Sequence, residues 1–428
     1  MVASLEREPG VRPRVFGGEQ SLECRERLVA VVRGGGELHH TGEALGVAGS
    51  DRREVGWHLL QARRLYSGTN ENGVAMPWPT AELHVHIEGT IESEFLVAAA
   101  RRNDVALPTY DPAELTARYV FADLQSFLDV HYANLAVLRT ERDFHDLGLG
   151  YLTHAAAGGV RRAEMFFDPQ THINNGVPIE AVFAGLGSAL AEGRETLGIS
   201  ADLIMCFLRD LGGDAAEEML RAALPFREQF IGVGLDSTEI GYPPSLFTKA
   251  YAMAEAEGLH RVAHAGEEAD PSYVWEALDL LKVERVDHGN RAMEDVDLVA
   301  RLRDERIALT VCPLSNIALR TAPPALRDHP LPRMMEAGLL VTVSSDDPTY
   351  FGGYLDDNFA AIEAELGFSQ QQLATLAHNS FEASFLPETE KARLRAEVDA
   401  YLVKSPPSLG DSTTRTSRST ATTRTAGN

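Results

Sequence analysis

Along residues 76–404, short apolar runs rich in Val, Ile, Leu and Phe alternate with longer stretches whose apolar positions recur at helical spacing. Eight of the short runs read as strands: 82–87, 162–167, 202–207, 231–235, 261–264, 285–288, 307–311 and 340–344. Segments 178–197, 215–230 and 245–258 read as intervening helices. A final amphipathic helix opens at Pro387 and Glu388, with Leu394, Val398 and Leu402 spaced to pack one face. Strand–helix alternation predicts a parallel sheet with crossover helices. Eight such units suit an α/β fold of the (β/α)8 TIM barrel type, which needs about 250 residues; a doubly wound open sheet is the competing architecture.

The flanks lack this pattern. Residues 1–75 are rich in Gly, Arg and Glu, include Gly34-Gly35-Gly36, and are expected to form a poorly structured extension with at most a short helix over 55–66. The Ser/Thr/Arg-rich segment 405–428 cannot bury enough apolar surface to offset its ordering entropy and is expected to be disordered. The expected organisation is therefore one barrel domain, 76–404, between two extensions.

Composition narrows the partners. The 428-residue chain is 44% hydrophobic and carries a formal net charge of −24. Such a surface repels phosphate backbones and anionic lipid, so neither nucleic acid nor a membrane is expected as a partner, and a small neutral substrate fits better. Cys24, Cys206 and Cys312 are far apart and form neither a disulfide framework nor a Cys-x-x-Cys clip. The chain start does not read as a secretory signal, and no apolar run approaches the ~18 residues of a membrane span. The expected location is cytoplasmic, and assembly into a homo-oligomer is left open.

The unusual polar residues fall at the carboxyl ends of the expected strands, where a barrel keeps its active site. In His84-Val85-His86 the two imidazoles share one face of a strand and can share a metal. Two buried, hydrogen-bonded histidines would be the plainer reading of that pair alone. His264-Ala265-Gly266-Glu267 adds an imidazole and a carboxylate, Asp287-His288-Gly289 another pair, and Ser345-Asp346-Asp347-Pro348 adjacent carboxylates. Adjacent carboxylates repel each other unless a cation or proton intervenes. Together these strand ends offer imidazoles and a carboxylate for a divalent ion, with a Glu, a His and an Asp left for acid–base work. Nitrogen and oxygen ligands suit zinc, and manganese, iron or cobalt are compatible by ligand type.

The ordered set His-x-His, His-Ala-Gly-Glu, Asp-His-Gly, Cys312-Pro313-Leu314-Ser315-Asn316 and Ser-Asp-Asp-Pro resembles the adenosine/adenine deaminase family of metal-dependent hydrolases. The resemblance implies one zinc ion per subunit held by His84, His86, His264 and Asp346. It also implies that Glu267 protonates purine N1, that His288 orients and helps activate the attacking water, and that Asp347 hydrogen-bonds N7. The implied reaction is hydrolytic removal of the 6-amino group of a purine.

Two acidic positions bear on which purine. Glu88 stands where adenosine-type members carry a ribose-binding aspartate, and its extra methylene could bring the carboxylate to N9–H or N3 of a free base. Glu239, in Asp236-Ser237-Thr238-Glu239, departs from the Ala-Gly-Asp-Glu pattern of the adenosine type, and the run from Phe166 to His172 resembles the adenine type. Adenine is therefore the expected substrate, with Glu88 and Glu239 as candidate substrate contacts or bracing groups. Asp168, Gln170 and His172 read as braces of the site or a loop. Adenosine and N6-substituted adenines are the alternatives, and a non-catalytic purine-binding barrel is a remote one. A phosphotriesterase-like binuclear centre lacks its bridging lysine at the fourth strand, and the small zinc deaminases need a Pro-Cys-x-x-Cys that is missing here.

Overall fold

The computed structural model describes residues 77–404; the expectations for 1–75 and 405–428 lie outside the described residues. Eight strands run β1 (Thr80–His86), β2 (Val160–Phe167), β3 (Ser200–Leu208), β4 (Gly232–Asp236), β5 (His260–Ala265), β6 (Arg285–His288), β7 (Ala308–Val311) and β8 (Leu340–Val343). Each pairs in parallel with its sequence neighbours, in the order β1 to β8. The ring closes just beyond β8: Asp346 N–H donates to His84 O at 3.0 Å and His86 N–H donates to Asp346 O at 3.0 Å. The open-sheet alternative is thereby set aside. Closure also has a functional consequence, because it fixes one acidic residue between two histidines.

Helices cover the outside, so the strands are buried on both faces and read as near-continuous apolar runs. Two of the expected helices are shorter than their sequence pattern. Segment 215–230 divides into a helix Gly213–Ala223 and a 3-10 turn Leu224–Gln229, since Pro225 cannot donate to the helical ladder. Segment 245–258 likewise begins as a 3-10 turn, Pro244–Phe247, before the helix Thr248–Ala256. The closing helix Glu388–Lys404 buries Leu394 and Val398 as its spacing predicts.

Inside the barrel, toward the amino ends of the strands, the core is charged. Glu164 accepts from Arg285 Nη1 at 2.7 Å, from Arg162 Nη2 at 3.1 Å and from Phe385 N at 2.7 Å. All three charged side chains are buried, a state tolerated only with this degree of mutual satisfaction. At the other end, the helix Leu124–Asn134 lies among the loops of the mouth, capped by Asp123, which accepts from Ser126 N at 2.8 Å. Its Leu124, Phe127 and Leu128 join Leu319, Tyr350 and Phe351 in an apolar cluster separate from the main core.

Candidate active site

β1 ends with both imidazoles turned into the mouth. His84 Nδ1 donates to Thr310, whose Oγ1 lies at 2.9 Å, and Thr310 passes its own proton to Asp287 Oδ1 at 2.8 Å. This chain fixes the His84 tautomer and leaves Nε2 as a lone-pair donor, buried and without a hydrogen-bond partner. His264 Nδ1 lies 3.8 Å from Asp287 Oδ2 and His86 Nδ1 lies 3.5 Å from Asp236 Oδ2, so a carboxylate stands behind each ring without a hydrogen bond at His264. The Nε2 atoms of His86 and His264 face each other at 3.2 Å. Asp346 Oδ1 lies 3.2 Å from His84 Nε2 and 3.4 Å from His86 Nε2.

Ligand atoms of His84, His86, His264 and Asp346 thus all fall within 4.8 Å of one another. Two imidazole lone pairs 3.2 Å apart repel unless a proton or a cation lies between them. Burial pushes His86 down to about 4 and His264 well below its ordinary value, so a shared proton is disfavoured. Burial alone would raise Asp346, but the imidazoles of His84 and its neighbours outweigh it and hold the carboxyl well below its usual range. At His84 burial is outweighed by the Asp346 carboxylate, which raises the imidazole, so the two form a charge-matched pair. With His86 and His264 and an Asp346 second oxygen that takes a 2.6 Å hydrogen bond from Ser315, this nitrogen and oxygen donor set fits a divalent ion.

The backbone supports this convergence at some cost. His288 and Asp346 adopt left-handed φ of 63° and 66°, each worth roughly 1–2 kcal/mol of strain for a non-glycine residue. That strain turns both side chains into the mouth. Gly89 serves the neighbouring carboxylate: a Cβ there would stand 2.0 Å from Asp347 Oδ1.

Beside the cluster lie the acid–base groups. Glu267 Oε2 is 3.5 Å from His288 Nε2, and Glu267 Oε1 is buried without a partner. Burial, reinforced by the charges of Asp346 and Glu239, pushes the Glu267 carboxyl well above its ordinary value, which favours its neutral form. Asp347 is pushed well above its range in the same way, by burial and then by Asp346. His288 is lowered to about 3 by burial and by His84, so it is neutral.

The His288 tautomer follows from a chain of contacts. Leu331 N–H donates to His329 Nδ1 at 3.1 Å, so the His329 proton sits on Nε2, 3.2 Å from Asn316 Oδ1. That orients the Asn316 amide to donate from Nδ2 to His288 Nδ1 at 3.3 Å. The remaining His288 proton is on Nε2, facing Glu267 and, at 3.8 Å, Asp346 Oδ2.

The other two expected contacts lie one layer back. Glu88 Oε1 accepts from His172 Nε2 at 2.8 Å and from Asp168 N at 3.0 Å. Glu239 accepts from Gly266 N at 2.7 Å, Glu268 N at 2.7 Å and Ala269 N at 2.8 Å, so it grips the loop that carries Glu267. Neither lines the cavity, whereas His86, His264, Glu267, His288, Asp346 and Asp347 do. Gln170, read as a brace, accepts from Leu208 N at 2.9 Å.

Sequence reasoning read Asp168 only as a brace and missed the rest of the lining. Asp168 and Asp236, at the ends of β2 and β4, face the cavity with His131, Tyr132 and the apolar Leu124, Phe127 and Leu128. Asp168 and Asp236 could have been found by the rule that exposed the other ligands, a carboxylate immediately after an apolar strand. The helix residues carry no such signal, since only the packing of their helix brings them to the mouth.

Comparison with known proteins agrees with this geometry. A relative named adenine deaminase from Streptomyces coelicolor is 56% identical over 328 residues, covering 76% of this chain and 96% of the relative. One of the same name from Cupriavidus taiwanensis is 54% identical over 332 residues, 77% of this chain and 94% of the relative. The crystal structure of an adenine deaminase from Arthrobacter aurescens is 52% identical and superposes with a TM-score of 0.75, covering 76% of this chain and 99% of that one. An amidohydrolase from Burkholderia ambifaria, solved with bound Zn, is 27% identical with a TM-score of 0.71, over 84% of this chain and 95% of that one. The family model described as adenosine deaminase matches residues 79–401, which span all eight strands and every cluster above, and the chain belongs to the adenosine deaminase family.

Proposed function

We propose that this chain hydrolyses adenine to hypoxanthine and ammonia, using one zinc ion per subunit bound by His84, His86, His264 and Asp346. The observation that carries the reading is the meeting of these four donors within 4.8 Å beside the buried Glu267. The family is one of metal-dependent amidohydrolases, and a relative at 27% identity was solved with bound Zn. The free base as substrate rests on relatives named adenine deaminase at more than half identity.

Held by these four residues, a zinc ion would supply Lewis-acid activation of water next to C6 of the purine. The protein's groups do the remainder. Glu267 gives its proton to N1, which removes the electron density that otherwise protects C6 from a nucleophile. His288 offers Nε2–H to the oxygen that adds at C6, a contribution of about 3 kcal/mol for donors placed at developing charge. Asp347, kept protonated by burial, donates to N7 and fixes the ring plane. Glu239 holds the Glu267 loop through its three backbone contacts. Over one turnover the two protons of water restore Glu267 and complete ammonia, and N1 retains the proton it received.

The acidic surface suits a neutral base, and with no nucleic-acid or membrane partner called for, the reading is of a purine-salvage enzyme. Among the described residues no helix is long and apolar enough to cross a membrane. Cys206 and Cys312 are free and buried, as suits a reducing, cytoplasmic setting. The working enzyme in this reading is the 76–404 barrel. Ammonia release measured with adenine, adenosine and N6-methyladenine tests it: adenine is expected to be turned over best, and a preference for adenosine overturns the substrate assignment.

A further inference from the structure

The cavity holds a second group of carboxylates that the reaction above leaves unused. Asp168 and Asp236 are each only 3% exposed, line the cavity, and bring an oxygen apiece within 4.8 Å of each other and of His86 Nδ1. Both Asp236 oxygens and Asp168 Oδ1 are buried without a hydrogen-bond partner. Two adjacent buried acids are costly unless a donor from outside the protein satisfies them. Their surroundings hold them in place all the same. The Asp168 backbone is pinned by Glu88, and Tyr132 donates to Ser237, the residue after Asp236, at 2.9 Å.

The mechanism assigns Glu267, His288 and Asp347 to N1, the C6 oxygen and N7. A free purine base presents a further polar edge, with N3 as an acceptor and N9–H as a donor. In a nucleoside that proton is replaced by a sugar carbon. Resting on the reading of the site as a purine deaminase, we propose that the Asp168–Asp236 pair receives the N9–H edge of a free purine base and thereby rejects N9-substituted purines. The rejection has two parts. Any substituent on N9 displaces the edge from the carboxylates, and it leaves buried acceptors facing carbon. Sites built to bond an N–H discriminate against analogues lacking it by up to ~10⁴–10⁵-fold. Glu88 then acts at one remove, as a positioning residue for Asp168.

The test compares kcat/KM for adenine and for 9-methyladenine, which lacks only the N9 proton, in the wild type, Asp236→Asn and Asp168→Asn. Bound metal is measured in each, because Asp236 also lies 3.5 Å from His86 Nδ1. The wild type is expected to favour adenine by at least ~10³-fold. Asp168→Asn is expected to lose about 10²-fold on adenine, chiefly through KM, while 9-methyladenine changes less than about threefold and metal content is unchanged. Asp236→Asn, compared at equal metal content, supplies the same comparison should Asp168→Asn misfold. An adenine/9-methyladenine ratio that stays within about threefold of wild type in the folded variant overturns the proposal. So does a second metal ion per chain that disappears with Asp236→Asn, since the pair would then be a cation site. A wild type that deaminates no purine refutes the functional reading itself, a different outcome from either.

Discussion

Glu239 is the residue whose replacement reports most directly on how the fold holds its acid. Its carboxylate accepts three backbone N–H groups at 2.7–2.8 Å, from Gly266, Glu268 and Ala269, around Glu267, the proposed proton donor. In Glu239→Gln the best orientation keeps the amide oxygen on Glu268 and Ala269 and turns the NH2 toward Gly266 N–H. One hydrogen bond to a charged acceptor is lost, about 1.5–3 kcal/mol, and two buried donors face each other, about 1–3 kcal/mol more. Urea unfolding should therefore show a loss of roughly 2.5–6 kcal/mol with an unchanged slope. The second effect is electrostatic. The Glu239 charge, after burial, helps to raise Glu267; removing it favours the ionised form and lowers that pKa. Activity needs the protonated carboxyl, so the alkaline limb of the pH–rate profile should move to lower pH while bound metal stays constant. Unchanged stability together with an unmoved alkaline limb would refute the idea that Glu239 both grips and tunes the acid.

Other expectations follow from the same geometry. Glu267→Gln is expected to keep its metal and lose about 10²–10⁴-fold in kcat, whereas His264→Ala should lose metal; near wild-type activity in both variants contradicts the roles given to them. His329 is lowered to about 4 by burial, below its unfolded value of about 6.5, so the unfolded chain takes up the proton first. Its contribution to stability, up to about 3 kcal/mol, is present above pH 6.5 and is lost as pH falls toward 4. His329→Asn should flatten that part of the pH–stability curve, and should lower kcat without altering metal content, because Asn316 loses the partner that orients it toward His288. Retention of the full acid slope in the variant would show that other groups carry it.

The architecture was legible because each strand is a compact apolar run bounded by turn residues, and because the chemistry falls where those runs stop. The eight expected strands match β1 to β8 to within a residue or two at most ends. The four candidate ligands meet in one cluster, and all but His84 line one cavity with Glu267, His288 and Asp347, because strand ends in a closed barrel converge whatever their separation in sequence. What the sequence did not display was depth. Glu88 and Glu239 were visible as acidic residues, but nothing in their spacing says that backbone N–H groups would occupy them. The Asn316–His329 link to His288 joins residues on separate loops and has no sequence signature. Nor do Phe127 and His131, which reach the cavity only through the way their helix packs.

Metal analysis of the purified enzyme, paired with X-ray absorption at the zinc edge, tests the central claim most directly. One zinc per chain is expected, with three imidazole nitrogens and carboxylate oxygen at about 2.0–2.2 Å, and adenine turnover that disappears on chelation and returns with zinc. A metal-free enzyme with full activity, or two ions per chain in a bridged pair, would contradict it.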